Sequence, residues 1–187
     1  MGMSFIIRLV EEKDIPQILD IYTPFVLTTT VSFETEAPSP EVFSKRVKAY
    51  ASLAPWLVAV DGDTVLGYAY ATAHRSRGAY RWNQETTVYV HPDHRRKGIA
   101  RALYAKLLKL LKAAGYTKAL AVITLPNDAS IRFHERLGFE HIGEMQHIGF
   151  KFDRWHTTSW WDKNLQEAGF IPGLIKPVTP DLLSELD

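Results

Sequence analysis

The chain has 187 residues, 46% of them hydrophobic and 23% charged, which suits one soluble globular domain with a full-sized core. Its 22 basic and 21 acidic residues leave a net charge of +1, so nothing demands a nucleic-acid or anionic-membrane partner. Cysteine is absent, which excludes disulfides, thiolate metal sites and a cysteine nucleophile; residues 1–8 lack a signal-peptide pattern and no apolar stretch reaches about 18 residues, so a cytoplasmic enzyme without a membrane partner is expected.

Phe5-Ile6-Ile7-Arg8-Leu9 reads as a first strand. Asp14-Ile15-Pro16 then opens a helix, with proline in the first turn and Ile15, Ile18, Leu19 and Tyr22 on its apolar face. Residues 28–33 are a β-branched polar run leading to Ala37-Pro38-Ser39-Pro40 and read as a loop. A second helix over 41–51 places Val42, Phe43, Val47 and Tyr50 on one face. Residues 56–60 and 64–73 form two strands joined by Asp61-Gly62-Asp63, a strong hairpin signal. Another strand covers 85–90.

Gly98 begins the clearest helix, which Gly115 stops. Ile99, Leu103, Leu107, Leu110, Leu111 and Ala114 form its apolar face, while Arg101, Lys106, Lys109 and Lys112 are expected toward solvent. Residues 118–125 are an almost unbroken apolar strand, as found in the middle of a sheet. Pro126-Asn127-Asp128 starts a shorter helix ending at Gly138, and residues 140–143, 147–152 and 156–161 supply the last strands. From Asn164 onward proline and glycine are frequent, which divides the chain into a domain at 1–163 and a C-terminal extension at 164–187. The pattern is an α/β (α+β) fold, a mixed sheet with helices on its faces.

Chemistry concentrates where the strand Val88-Tyr89-Val90 ends and a basic turn, His94-Arg95-Arg96-Lys97, runs into a helix at Gly98. The first N–H groups of a helix have no internal partner and carry partial positive charge, so phosphate oxygens suit them. Gly98 lets a ligand approach the backbone closely. A diphosphate is the natural guest; a solvated basic turn before a surface helix is the plainer alternative. Neither a P-loop nor a three-glycine dinucleotide fingerprint is present. His91-Pro92-Asp93-His94 lacks a third ligand, so no metal is expected.

Arg95-Arg96-Lys97-Gly98-Ile99-Ala100 resembles the Arg/Gln-x-x-Gly-x-Gly/Ala pyrophosphate loop of GNAT acetyltransferases. Asn127 after a buried strand and Leu137-Gly138-Phe139 closing the next helix resemble two further signatures of that superfamily, in the same order. The resemblance implies acetyl-CoA as co-substrate and a mostly antiparallel central sheet with a splayed strand pair, flanked by about four helices. It also implies that the backbone of Val88, Tyr89 and Val90 pairs with the pantetheine arm. Arg95, Arg96, Lys97, Gly98, Ile99 and Ala100 would hold the diphosphate, with Asn127 and nearby Ser130 on the arm.

Ala79-Tyr80-Arg81-Trp82, Glu85-Thr86-Thr87-Val88-Tyr89-Val90, Leu125-Pro126-Asn127-Asp128, His134-Glu135 and Trp155-His156 are similar to the phosphinothricin and methionine sulfoximine N-acetyltransferases. That likeness spans residues 5–163. It implies transfer to the α-amine of a small carboxylate-bearing substrate, for which a cation and hydrogen-bond donors are needed. Arg77 is the leading candidate for that anionic group, with Arg75 beside it and Phe33 and Tyr80 as walls; solvated loop charge and core packing are the plain alternatives.

An α-ammonium must lose a proton before it attacks a thioester, and Glu85 is the first choice of general base. The backbone N–H of Val88 or Tyr89 is a candidate oxyanion donor. Many superfamily members carry a tyrosine seven residues after the asparagine to protonate the thiolate; His134 stands there, as general acid or second base. Trp155, Trp160 and Trp161 read as late-strand core or dimer-interface residues, and a homodimer is expected. Rival readings are an acetyltransferase for another amino acid, a polyamine or a protein N-terminus, and a non-catalytic acyl-CoA-binding sensor. A nucleic-acid-binding domain is weaker, since stacking-platform motifs are lacking.

Overall fold

The computed structural model describes residues 5–186. Residues 1–4, which begin the N-terminal stretch read above, and Asp187 lie outside the described part. Strand β1 (Ile6–Leu9) leads into helix α1 (Ile15–Thr28), and helix α2 (Pro40–Ala51) follows, with the Ser39 hydroxyl accepting from the Val42 N–H as its N-cap. β2 (Trp56–Asp61) and β3 (Thr64–Ala73) close the predicted hairpin, with Gly62 at φ +56° in the turn. β4 (Asn83–Val90), helix α3 (Ile99–Ala114), β5 (Lys118–Thr124) and helix α4 (Asp128–Arg136) come next.

The sheet has seven strands in the order β1-β2-β3-β4-β5-β7-β6, where β6 is Glu140–Lys151 and β7 is Arg154–Asn164. Every pair is antiparallel except β4 with β5, which run parallel over Asn83↔Lys118, Gln84↔Ala119 and Glu85↔Leu120 only. Beyond Glu85, β4 stays on β3 while β5 stays on β7, so a wedge opens between the two strands. Strand alternation gives this wedge two sides. Val88 and Val90 face the core built by α3, and Tyr89 faces the core built by α1 and α2.

Helix α3 fits its sequence: Leu103, Leu107, Leu110 and Leu111 are fully buried, each worth about 2 kcal/mol of apolar burial. Gly115 ends it in the left-handed conformation. Lys106 departs from expectation, being buried rather than turned to solvent. It lines a cavity of about 510 Å³ shared with Phe5, Ile7 and Leu186.

Two of the expected last strands are one. Residues 140–151 form a single strand whose register shifts between His141 and Gly143 and again between Met145 and Gly149. Those irregularities absorb the extra residues that look like a break in the sequence. Residues beyond Asn164 run back along the domain. Leu165 N–H donates to the Thr117 carbonyl, the Trp82 indole N–H to the Gly173 carbonyl, and Lys176 N–H to the Ala114 carbonyl. A last helix, α5 (Pro180–Ser184), buries Leu183 in the α3-side core. No helix among the described residues is long and apolar enough to cross a membrane.

Candidate active site

On the α3 side a cavity of about 770 Å³ lies between the start of α3 and α4. Gly98 takes φ +82° at the helix N-cap, a left-handed conformation that favours glycine. Intrahelical bonding begins only with Ala102 N–H to the Gly98 carbonyl, which leaves the N–H groups of Gly98, Ile99, Ala100 and Arg101 for a ligand. All four residues line the cavity, together with Arg95 and Arg96. Lys97 sits just outside, its ammonium 3.3 Å from His94 Nδ1. Helix dipole and side-chain charge therefore converge on this cavity.

α4 adds two cations that sequence reasoning missed. Arg132 and Arg136 line the same cavity with Ala129 and Phe133. Their spacing, i, i+3, i+4, i+7, is the signal that points these residues along one helical face. Asn127 caps α4, its Oδ1 accepting from Ser130 N–H at 3.2 Å, so its amide N–H₂ stays available. Val90 lines the cavity while the Tyr89 ring turns the other way, against Tyr22, Phe25 and Tyr68.

The backbone of β4 alternates in the same way. His91 N–H bonds to Leu66 on the β3 side, and the Trp82 carbonyl accepts from Thr117 on the β5 side. Odd-numbered peptide groups therefore face β3, and even-numbered ones face the wedge. Of the two expected oxyanion donors, Val88 N–H points into the opening and Tyr89 N–H is committed to the sheet.

Behind the wedge lies a closed polar chain. His134 is only 6% exposed, with Nδ1 2.8 Å from the Ser130 carbonyl and Nε2 3.1 Å from the Tyr104 hydroxyl. A carbonyl only accepts, so Nδ1 carries the proton, and Nε2 faces a Tyr104 hydroxyl that also donates to the Thr86 carbonyl at 3.1 Å. The Ser130 hydroxyl, 3.4 Å from Nδ1, is a weaker partner. Burial pushes the imidazole below its ordinary pKa against the opposing pull of the Ser130 carbonyl, keeping it neutral. Tyr104, pushed up by burial and so held protonated, meets Thr86 Oγ1 at 2.7 Å, and Thr86 Oγ1 reaches the Leu120 carbonyl at 2.9 Å. Tyr104 and Thr86 join residues from α3, α4, β4 and β5 and were not legible from any local motif.

The opposite face of the sheet carries Glu85. Its carboxylate is half-buried, and Oε1 lies 2.7 Å from Nδ1 of His74, just past the end of β3. Arg75 Nε–H donates to His74 Nε2 at 3.2 Å, and its guanidinium lies 5.5 Å from the centre of the Tyr80 ring. The imidazole stands edge-on to Tyr80 and to Trp160 of β7. The structure thus gathers Glu85, Arg75 and Tyr80 around a histidine that the sequence reading passed over. Arg77 lines a cavity of about 420 Å³ with Tyr50, Gln84 and Tyr116, and Arg75 lines that cavity too, so what sets Arg75 apart is its bond to His74.

Phe33 belongs to a separate wall, lying against Gly149 with its ring centre 6.2 Å from that of His156. An alanine Cβ at Gly149 would come within 2.2 Å of that ring. Buried Lys151 fixes the wall, donating to the Val26 and Ser32 carbonyls at 2.6 and 2.7 Å. Burial lowers its pKa, and Glu34 opposes that shift. His156 and Trp160 share one face of β7, so this strand links the Phe33 wall to the Glu85 group. No cluster of three metal-ligating side chains occurs among the described residues.

The model of the acetyltransferase (GNAT) domain matches residues 7–160. The chain is 37% identical over 174 residues to phosphinothricin N-acetyltransferase of Streptomyces viridochromogenes, covering 93% of each chain. It is 33% identical to the L-methionine sulfoximine/L-methionine sulfone acetyltransferase of Salmonella typhimurium, covering 86% of this chain and 95% of the other. Among solved structures, a GNAT superfamily phosphinothricin acetyltransferase from Sinorhizobium meliloti in complex with acetyl-CoA superposes with a TM-score of 0.87. That protein is 35% identical, over 91% of this chain and 94% of its own.

Proposed function

The chain belongs to the GNAT family of acetyltransferases, and from that premise we propose that it transfers acetyl from acetyl-CoA to the α-amine of a small amino-acid-like substrate of the phosphinothricin, methionine sulfoximine or methionine sulfone type. One observation carries the substrate class: the row Arg75–His74–Glu85 on the face of the sheet opposite the phosphate-binding cavity. Cation and carboxylate stand one imidazole apart. That spacing is of the same order as the distance between the two ends of an α-amino acid once each end carries its own hydrogen bond. The carboxylate accepts from the outer N–H groups of Arg75, and the ammonium donates to Glu85 Oε2.

Acetyl-CoA enters from the α3 side, its diphosphate on the N–H groups after Gly98 and its arm along Val88 and Val90. Arg132 and Arg136 add charge for the third phosphoryl group of the nucleotide. Glu85 takes a proton from the ammonium, directly or through water, and the freed amine attacks the thioester carbon across the wedge. The C–N bond forms as the carbonyl oxygen takes up charge, and Val88 N–H donates to that oxyanion. The C–S bond then breaks. The attacking nitrogen, which still carries one proton more than an amide, passes it to the departing CoA thiolate, and Glu85 gives its own proton to solvent, which closes the proton balance. With both ring nitrogens engaged, His134 supports the site by holding Tyr104 and Thr86 behind the wedge.

The active assembly in this proposal is a homodimer. β6 is an edge strand exposing Ile142, Met145, Ile148 and Phe150, with Trp155 beside them on β7. A patch of this kind suits a self-complementary interface. Light scattering at working concentration should give twice the chain mass; a monomer contradicts this part.

The catalytic proposal is tested by free-thiol release from acetyl-CoA with a panel of amines: methionine sulfoximine, methionine sulfone, phosphinothricin, the common amino acids, spermidine and a short peptide. Release confined to the tetrahedral-group amino acids is expected. Release with spermidine or peptide alone overturns the substrate class, and acetyl-CoA binding without release for any amine favours a sensor.

A further inference from the structure

His74 is the side chain that touches Glu85, and its own surroundings settle how. An arginine offers only donors, so Arg75 Nε–H at 3.2 Å makes His74 Nε2 an acceptor. The neutral ring then carries its proton on Nδ1 and donates it to Glu85 Oε1 at 2.7 Å. Rotation is blocked on both sides, by Tyr80 with ring centres 6.0 Å apart and by Trp160 at 5.9 Å, each nearly perpendicular to the imidazole. His74 N–H also donates to the Asn83 carbonyl, tying the start of the loop to the start of β4. The side chain is 14% exposed, so water competes little for the bond to Glu85.

We propose that His74 is a positioning residue for acetyl transfer, holding Glu85 by Oε1 so that Oε2 faces the acceptor amine, and setting the spacing between Glu85 and Arg75. The inference rests on the reading of Glu85 as the base. A carboxylate on a free side chain samples several rotamers, and only some present a lone pair to the amine. A fixed donor on one oxygen selects among them, as outer-shell partners do for other reactive groups. The same ring ties the base to the group that grips the substrate carboxylate, so the two ends of the substrate are registered by one side chain.

The test is a double-mutant cycle on the full chain, reading kcat, KM for the amine and KM for acetyl-CoA in the parent, His74→Phe, His74→Asn, Glu85→Gln and the Phe/Gln double variant. Phenylalanine keeps the ring between Tyr80 and Trp160 and removes the donor; asparagine keeps a donor near Nδ1 and removes the ring. His74→Phe should lower kcat about tenfold, the loss expected for one hydrogen bond to a charged group, with KM for acetyl-CoA unchanged. His74→Asn should recover most of that loss, and His74→Phe should add less than about twofold on top of Glu85→Gln. Should His74→Phe fail to fold, His74→Leu removes the donor in a smaller side chain and is read in the same way. Parent-like kcat in the donor-less variant, or the same tenfold loss on the Glu85→Gln background, overturns the role of His74 while leaving Glu85 standing. Parent-like turnover in Glu85→Gln overturns the reading of Glu85 itself, and this inference with it.

Discussion

The two sides of the wedge are built differently. On the α3 side most of the binding groups come from one stretch, β4 to α3, with Arg132 and Arg136 added from α4, and many are backbone N–H groups whose direction the fold dictates. On the opposite side the groups are side chains from separate segments: Phe33 after α1, His74 and Arg75 after β3, Glu85 on β4, and Trp160 on β7. A site made of helix-terminal backbone tolerates side-chain change, because each N–H survives substitution. A site made of side chains held by one another does not. The contrast suits a protein whose cofactor is fixed and whose acceptor differs among relatives.

Substitutions on the two sides should therefore separate. The largest effect is expected from Glu85→Gln, which should lower kcat about a hundredfold or more by removing the base, with acetyl-CoA affinity by calorimetry unchanged. A comparable loss of acetyl-CoA binding would break the separation. Next is the Arg132→Ala/Arg136→Ala pair, which should raise KM for acetyl-CoA about tenfold or more at constant kcat, from lost charge-assisted bonds. An effect on the amine KM instead would place those arginines on the wrong side.

Gly149→Ala should act more mildly. Its new Cβ meets the Phe33 ring, and that ring is 38% exposed and free to swing. Amine KM should change several-fold while thermal stability moves by less than about 1 kcal/mol. A large fall in melting temperature would show that Phe33 is core rather than wall. The smallest effect concerns His134. Its folded pKa is depressed by burial, so the unfolded chain binds the proton more readily. Stability from this group is full above the ordinary value of 6.5 and declines as pH falls below it. His134→Gln should flatten that acid-side decline in a denaturant titration series; an unaltered slope would assign it to other groups.

How much of this was legible in the sequence follows the same division. Helix α3, Gly98 and the basic turn were readable because helix periodicity, a left-handed glycine and a dipole are local properties. Lys106 was misread because the C-terminal tail and the start of the chain come up beside its flank of α3, around one cavity, which no helical wheel shows. The apparent break near Met145 is an irregularity inside one strand, since a bulge and a turn leave similar local patterns. Glu85 was found through its resemblance, but His74 was not. Its meaning depends on register, Thr72 opposite Glu85, and on a rotamer fixed by Tyr80 and Trp160. Arg75 and Arg77 look alike in sequence and line one cavity; only the structure shows that Arg75 also donates to His74, the partner of Glu85.

The most direct test of the account compares the best acceptor of the amine panel with its decarboxylated counterpart, by kcat/KM in the parent protein. If Arg75 grips the substrate carboxylate while Glu85 takes the amine proton, removing that carboxylate should lower kcat/KM about a hundredfold, the worth of a bidentate charge-assisted pair. Equal values for the two amines would contradict the account, because the acceptor would then be recognised without the cation beside the base.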